Sequence, residues 1–159
     1  MPEPTPDTAE IPAGLPDATG ADVLIVDDNE QNLELLLAYL EGMGCECRTA
    51  RDGIAALEAV AERPPEILLL DVMMPRMSGF QVCERLKRDP ATAWIPIIMV
   101  TALSEVGDVE RAVEAGADDF LTKPVNKLEL TVRVRSLLRV GRLQRELAQS
   151  RATPPESAS

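Results

Sequence analysis

The chain has 159 residues and a net charge of −11; 45% of its residues are hydrophobic and only 3% are aromatic. This length suits one domain with a core of aliphatic side chains, and the acidic charge argues against direct binding to a nucleic-acid backbone. Because the sequence shows no run of about 18 apolar residues and no signal-peptide pattern at its start, we expect a cytoplasmic protein that does not enter a membrane.

Composition divides the chain into four parts. Residues 1–21 are rich in proline and acidic side chains, a mixture that predicts a disordered tail. We expect the folded domain at residues 22–139, a helical extension at 140–150 and a second disordered tail at 151–159.

Apolar runs and amphipathic stretches alternate through the predicted domain. The pattern predicts five pairs, each a strand followed by a helix. The predicted strands are 23–26, 45–50, 67–70, 95–100 and 119–121. The predicted helices are 32–43, 54–62, 79–87, 105–115 and a long one from about 126. Strands one, three and four are apolar throughout, as a parallel sheet covered by helices on both faces requires. We therefore predict an α/β fold with a doubly wound, five-stranded parallel sheet.

The strand order expected for such a flavodoxin-like sheet is 2-1-3-4-5, with a binding site at the carboxyl ends of strands one and three. Polar residues stand at these ends. Asp27 and Asp28 follow the first strand and Asp71 follows the third. Thr101 ends the fourth strand, and Lys123 follows the fifth. We expect these five side chains to form one site.

Three clustered carboxylates repel one another and raise each other's pKa, so the predicted site favours a hard divalent cation. Mg²⁺ (or Mn²⁺) suits it because Mg²⁺ binds one or two carboxylates, keeps several waters and accepts phosphate oxygens as further ligands. A single aspartate after a strand is most often only a turn or cap residue. The prediction therefore depends on the whole set occurring at matched strand ends.

Four motifs at these positions resemble the receiver domain of bacterial response regulators. They are VLIVDDNE at 23–30, LLLDVMMPRMSGF at 68–80, IIMVTA at 97–102 and GADDFLTKP at 116–124. The resemblance covers residues 22 to about 139. It implies a two-component signalling domain that accepts a phosphoryl group from a sensor histidine kinase or a phosphotransfer protein.

By this resemblance, Asp71 is the phosphoryl acceptor. Asp27, Asp28, Asp71 itself and the backbone carbonyl of Met73 hold the metal ion. The domain catalyses its own phosphorylation and dephosphorylation, and it is not an enzyme acting on a separate substrate. Positioning and charge neutralisation supply most of the catalysis in such a transfer.

The resemblance also assigns a switch. Lys123 and Thr101 contact the phosphoryl oxygens, and Thr101 moves toward them on activation. Phe120 is the aromatic residue that turns inward at the same time. The bond between Lys123 and Pro124 is expected to be cis.

Rival functions fit the sequence less well. A phosphatase of the haloacid-dehalogenase type needs a second aspartate two residues after its nucleophile, where this chain has Met73. A nucleotide-binding domain would carry G-x-x-x-x-G-K-[ST] or G-x-G-x-x-G, and neither occurs. The chain is then a stand-alone receiver or the receiver segment of a longer protein, such as a diguanylate cyclase or HD-type phosphodiesterase regulator.

The last helix suggests an assembly. Val140, Leu143 and Leu147 continue its apolar pattern beyond the domain, and an isolated helix of about 12 residues is marginal in water. We expect a homodimer through this helix and through the face of the fourth helix, fifth strand and fifth helix. The output partner is not identified by the sequence.

Overall fold

A computed structural model describes residues 18–102 and 106–152 of the chain. The predicted tails therefore lie largely outside the described residues, as do Leu103, Ser104 and Glu105.

The described chain alternates strictly between strand and helix. The elements are β1 (Asp22–Val26), α1 (Glu30–Gly42), β2 (Glu46–Ala50), α2 (Gly53–Glu62), β3 (Ile67–Asp71), α3 (Gly79–Arg88), β4 (Ile97–Thr101), α4 (Val106–Ala115), β5 (Asp119–Thr122) and α5 (Lys127–Ala152). Every predicted element is confirmed in type and position, with shifts of a few residues at the ends.

The sheet has the order β2-β1-β3-β4-β5 and all of its neighbouring strands are parallel. This confirms the predicted doubly wound, flavodoxin-like fold. In register, Val26 pairs with Leu70 and Asp71 pairs with Val100. The carboxyl ends of β1, β3 and β4 therefore lie side by side, with the residues of the predicted site directly beyond them.

The continuous apolar runs are explained by two buried faces, because successive side chains of a strand point to opposite sides of the sheet. On β3, Ile67 and Leu69 pack beneath α1 and α5, whereas Leu68 and Leu70 pack beneath α2, α3 and α4. All four side chains are fully buried. Burying one such side chain contributes about 1.5 to 3 kcal/mol, so the sheet is the main source of stability.

Local signals fix where the helices begin. The side chain of Asn29 accepts a hydrogen bond from Asn32 N at the start of α1. Ser78 and Gln81 form a reciprocal capping box at the start of α3. A capping box also satisfies otherwise unpaired N–H groups of the first turn, so it holds the helix entry in place next to the end of β3.

Residues on both sides of the predicted domain at 22–139 belong to the described fold. Ala18 and Ala21 are completely buried, and Gly20 N donates a 2.8 Å hydrogen bond to Gly44 O. Packing therefore begins by Ala18, four residues before the predicted domain start at Asp22. At the other end, α5 continues through the predicted extension to Ala152.

Among residues 18–102 and 106–152, no helix combines the length and the apolar character that crossing a bilayer would require.

Candidate functional site

The site lies where β1 and β3 end, at the switch point of the sheet. Asp71 is the last residue of β3, and Asp27 follows β1 and donates a backbone hydrogen bond to Ala50 O at 3.1 Å. Carboxylate oxygens of Asp27, Asp28 and Asp71 lie within 4.8 Å of one another. The structure thus brings the three predicted acidic residues together.

The three carboxylates differ in exposure. Asp27 and Asp71 are 1% and 3% exposed, whereas Asp28 is open to solvent. Asn29 N donates to Asp27 Oδ1 at 2.9 Å, which fixes the orientation of that carboxylate. The cluster therefore has a rigid buried floor and an open side.

Lys123 brings one positive charge into the cluster from the end of β5. Its Nζ lies 2.9 Å from Asp27 Oδ2 and 3.3 Å from Asp71 Oδ1. The Lys123 backbone N also donates a 2.7 Å hydrogen bond to Thr101 O, which ties the lysine to the end of β4. The predicted cis bond between Lys123 and Pro124 is confirmed.

Asp71 is electrostatically perturbed. Burial, followed by repulsion from Asp27, raises the pKa of Asp71 to about 6, and the attraction of Lys123 only partly opposes this. The single ammonium group of Lys123 thus does not neutralise the carboxylates around it. Additional positive charge at this point would stabilise the ionised form of Asp71.

The loop between β3 and α3 passes close beneath Asp71. A Cβ atom on Gly79 would overlap the carbonyl oxygen of Asp71, and Gly79 N donates to Val72 O at 3.0 Å. Met73 N lies 3.4 Å from Asp71 Oδ1, at the long end of hydrogen bonding. The side chain of Met73 is 60% exposed. This places Met73 at the site, and its carbonyl stays a predicted ligand.

The two predicted switch residues lie on neighbouring strands. Thr101 is completely buried at the end of β4, one residue beyond the partner of Asp71. Phe120 on β5 is half-buried and lines a cavity of about 230 Å³ together with Val109 and Val113 of α4. A side chain in this position has room on one side and the core on the other, as a two-position switch requires.

Sequence reasoning missed the supporting roles of Asn29 and Gly79. Asn29 both caps α1 and holds Asp27, and Gly79 allows α3 to start against the backbone of Asp71. The signal for Asn29 was present, since asparagine directly before an amphipathic run is a cap pattern. The glycine contact depends on loop geometry that the sequence does not specify.

The donor set fits a hard cation. All of its side-chain donors are carboxylate oxygens, one of them solvent-accessible, and these are the ligands that Mg²⁺ prefers. Among the described residues, this is the only group of three or more Asp, Glu or Cys side chains close enough to share a metal ion.

Comparison with known proteins agrees with this geometry. The response regulator PleD of Caulobacter vibrioides is 49% identical over 133 residues, which span 84% of this chain and 29% of PleD. The DNA-binding dual master transcriptional regulator RpaA of Synechocystis is 42% identical over 74% of this chain and 48% of RpaA. The chain thus spans about a third to a half of the length of these relatives.

Solved structures share the fold as well. The signal receiver domain of a histidine kinase from Syntrophus aciditrophicus has a TM-score of 0.71 at 38% identity, covering 76% of this chain and 91% of that one. The chemotaxis protein CheY4 of Vibrio cholerae has a TM-score of 0.71 at 28% identity, covering 75% and 99%. A family profile described as the response regulator receiver domain matches residues 23–135. The chain therefore belongs to the response regulator receiver domain family and is a receiver of the two-component phosphorelay type.

Proposed function

We propose that Asp71 accepts the phosphoryl group of a phosphohistidine on a sensor histidine kinase or a phosphotransfer protein. A carboxylate oxygen of Asp71 forms a bond to phosphorus, the P–N bond of the donor breaks, and its electron pair stays on the imidazole. The product is an acyl phosphate on Asp71. The observation that carries this proposal is the buried Asp71 carboxylate, held beside Lys123 and two further aspartates.

The second proposed role, metal binding, belongs to the acidic residues. Asp27, Asp28, Asp71 and the Met73 carbonyl would hold Mg²⁺ (or Mn²⁺), which when bound neutralises charge on the phosphoryl oxygens. Asn29 keeps Asp27 oriented for this role through its backbone N–H. Burial of Asp27 and Asp71 restricts water on the inner side of the site, which strengthens these electrostatic interactions.

Lys123 takes part in the phosphoryl transfer, and Thr101 takes part in the conformational switch. Lys123 stabilises charge that develops on the phosphoryl oxygens, and its ion pairs with Asp27 and Asp71 keep the ammonium in position beforehand. The phosphoryl group carries roughly −1.5 to −2 charges, in place of the single charge of the Asp71 carboxylate. Thr101 moves toward this group, so that Phe120 turns into the cavity that it lines. A domain that changes from mostly inactive to mostly active needs about 5.5 kcal/mol of differential stabilisation.

The chain is proposed to catalyse its own phosphorylation and dephosphorylation, without acting on a separate substrate. Its output is an effect on a partner or on a further part of a longer regulator. The net charge of −11 opposes direct contact with nucleic acid. RpaA is described as DNA-binding, but the match covers 48% of that protein.

Phosphorylation of the full chain by acetyl phosphate with Mg²⁺ tests the proposal. The wild type should gain one acid-labile phosphoryl group by intact mass, and Asp71→Asn should gain none because an amide is not a nucleophile here. Glu58→Gln, on an exposed face of α2, is the matched control and should label as the wild type does. Undiminished labelling of Asp71→Asn would refute the assignment.

A homodimer is proposed through α4, β5 and α5 together with the end of α5. Val109 and Val113 on α4, and Val140, Leu143 and Leu147 on α5, supply exposed apolar surface. Arg133 is less available than its charge suggests, because it already pairs with Asp119 at 2.9 Å and Glu129 at 3.4 Å in its own chain.

Light scattering with and without beryllofluoride tests the dimer, using wild type and Leu143→Gln/Leu147→Gln. We expect dimerisation to increase with beryllofluoride and to weaken in the double variant. A monomer under all conditions at tens of micromolar would rule the dimer out.

A further inference from the structure

The end of α5 contacts the edge of the sheet opposite Asp71. Residues 140–152, which comprise the predicted extension at 140–150 and the last two residues of α5, are termed here the helical extension. Glu66 directly precedes β3 and Pro96 directly precedes β4, so both lie at the amino ends of the central strands. Together with Trp94 they form a surface that we term the amino-edge clamp.

Two arginines of the extension share one carboxylate of the clamp. Arg142 donates from Nε and Nη2 to Glu66 Oε2 at 3.3 and 3.2 Å, and Arg145 Nη2 lies 3.7 Å from the same oxygen. The arginines are three residues apart and therefore lie on one face of the helix. Glu66 is only 26% exposed, so the pairs are partly shielded from solvent.

Aromatic and backbone contacts add to these ion pairs. The guanidinium carbon of Arg145 lies 5.3 Å from the ring centroid of Trp94, within the range of a cation–π interaction. Trp94 is itself fixed by a 2.9 Å hydrogen bond from Nε1 to Ala91 O. Gly141 is buried, and a Cβ there would come within 3.2 Å of Pro96 Cγ. Glycine is unfavourable inside a helix, but at this point it permits close approach to the sheet edge.

Apolar burial does not hold the extension. Val140, Leu143 and Leu147 are 44%, 48% and 58% exposed and lie on the side away from the clamp. The extension continues a 26-residue helix whose first half is buried against the sheet at Leu130, Val134 and Leu138. Within a single chain, the contacts to Glu66, Trp94 and Pro96 give the extension itself tertiary support.

We propose that the amino-edge clamp holds the helical extension in one fixed direction in the monomer, so that the stripe of Val140, Leu143 and Leu147 is turned outward. The device is independent of phosphoryl acceptance, because it lies at the opposite end of the strands from Asp71. Loss of the Glu66 charge releases the extension. High ionic strength weakens the clamp, since partly exposed ion pairs are screened by salt.

Amide hydrogen exchange on the full chain tests the proposal, using wild type, Glu66→Gln, Glu66→Gln/Arg145→Gln and the control Glu62→Gln. Glu62 is exposed at the end of α2 and makes no ion pair among those the structure describes. We expect exchange over residues 142–150 to rise about fivefold in Glu66→Gln and about tenfold in the double variant. Exchange over residues 127–138 should stay unchanged. Trp94 is the sole tryptophan, so its emission should shift in the double variant and not in Glu62→Gln.

Three other results would contradict the proposal that the clamp holds the extension. Unchanged exchange over 142–150 would show that Glu66 does not hold the extension. An equal rise throughout α5 would indicate a general loss of stability. Loss of this protection in wild type that is diluted to the monomer would show that a second copy holds the extension instead. Should Glu66→Gln fail to fold, wild-type exchange at 0.1 M and 1 M salt, roughly a 10 Å and a 3 Å screening length, tests the same point.

Discussion

Replacing Asp71 by asparagine should stabilise the metal-free domain at neutral pH. The pKa of Asp71 is raised from 3.8 to about 6, chiefly by burial and by Asp27. Because the pKa in the folded state exceeds that in the unfolded chain, the folded domain binds the proton more tightly. The resulting penalty on stability is absent below about pH 4 and complete above about pH 7, where it amounts to about 3 kcal/mol.

The gain in the variant should be somewhat smaller than this penalty. The asparagine oxygen can still accept from Lys123, but a neutral acceptor forms a weaker hydrogen bond with an ammonium group than a carboxylate does. We therefore expect Asp71→Asn to raise the free energy of unfolding by about 1 to 3 kcal/mol at pH 8. Near pH 4 the difference should approach zero.

Urea unfolding in the presence of EDTA, at several pH values between about 4 and 8, measures this difference. Glu58→Gln is the control, because an exposed carboxylate should give a difference that hardly changes with pH. Adding Mg²⁺ should reduce the difference, since a ligand present at about 100 times its Kd stabilises the form that binds it by about 2.7 kcal/mol. A variant that is less stable than the wild type at pH 8, or a difference independent of pH, would refute the electrostatic reasoning.

Three further substitutions, one of them with a matched control, test the surroundings of the site. Lys123→Met should raise the pKa of Asp71 further, because Lys123 lowers this pKa more than the backbone hydrogen bond from Met73 does. A carboxyl carbon NMR titration measures this, and an unchanged pKa would contradict it. Gly79→Ala should destabilise the domain by about 1 to 3 kcal/mol in urea, because its Cβ would overlap Asp71 O. Gly42→Ala, with nothing within 4 Å of the added Cβ, should instead be neutral or stabilising by up to about 1 kcal/mol. Ser78→Ala should cost about 1 kcal/mol by removing the capping box of α3, which thermal unfolding at pH 7 would detect.

The sequence was sufficient to predict where the chemical groups of the site would meet. In a parallel sheet every strand ends at the same edge, so Asp27, Asp71 and Thr101 are brought together by topology alone. Lys123 joins them because β5 ends one residue before it. Such predictions require only strand boundaries and strand order, both of which follow from the apolar pattern.

Contacts that depend on loops and on long side chains were beyond this reasoning. The close approach of Gly79 to Asp71 is set by the path of residues 72–78, which carries no repeating pattern. The contacts of Arg142 and Arg145 with Glu66 join residues far apart in the sequence. From its length and its apolar pattern the extension was expected to need a second chain; the structure also provides contacts for it within one chain.

Two carboxylates share the ammonium group of Lys123, and this sharing links the charge of the site to switching. Its ammonium lies 2.9 Å from Asp27 and 3.3 Å from Asp71, so neither acid has a dedicated counter-charge. A phosphoryl group on Asp71 would carry roughly −1.5 to −2 charges, in place of the single charge of the carboxylate, and would draw Lys123 toward its oxygens. Asp27 would then depend more strongly on a bound cation. By linkage, each of the two events favours the other, so phosphoryl and cation binding should be cooperative. A buried carboxylate with a raised pKa is thus unfavourable in the domain that holds neither a cation nor a phosphoryl group. For the same reason, a change in the charge of the site is the signal to which the switch would respond.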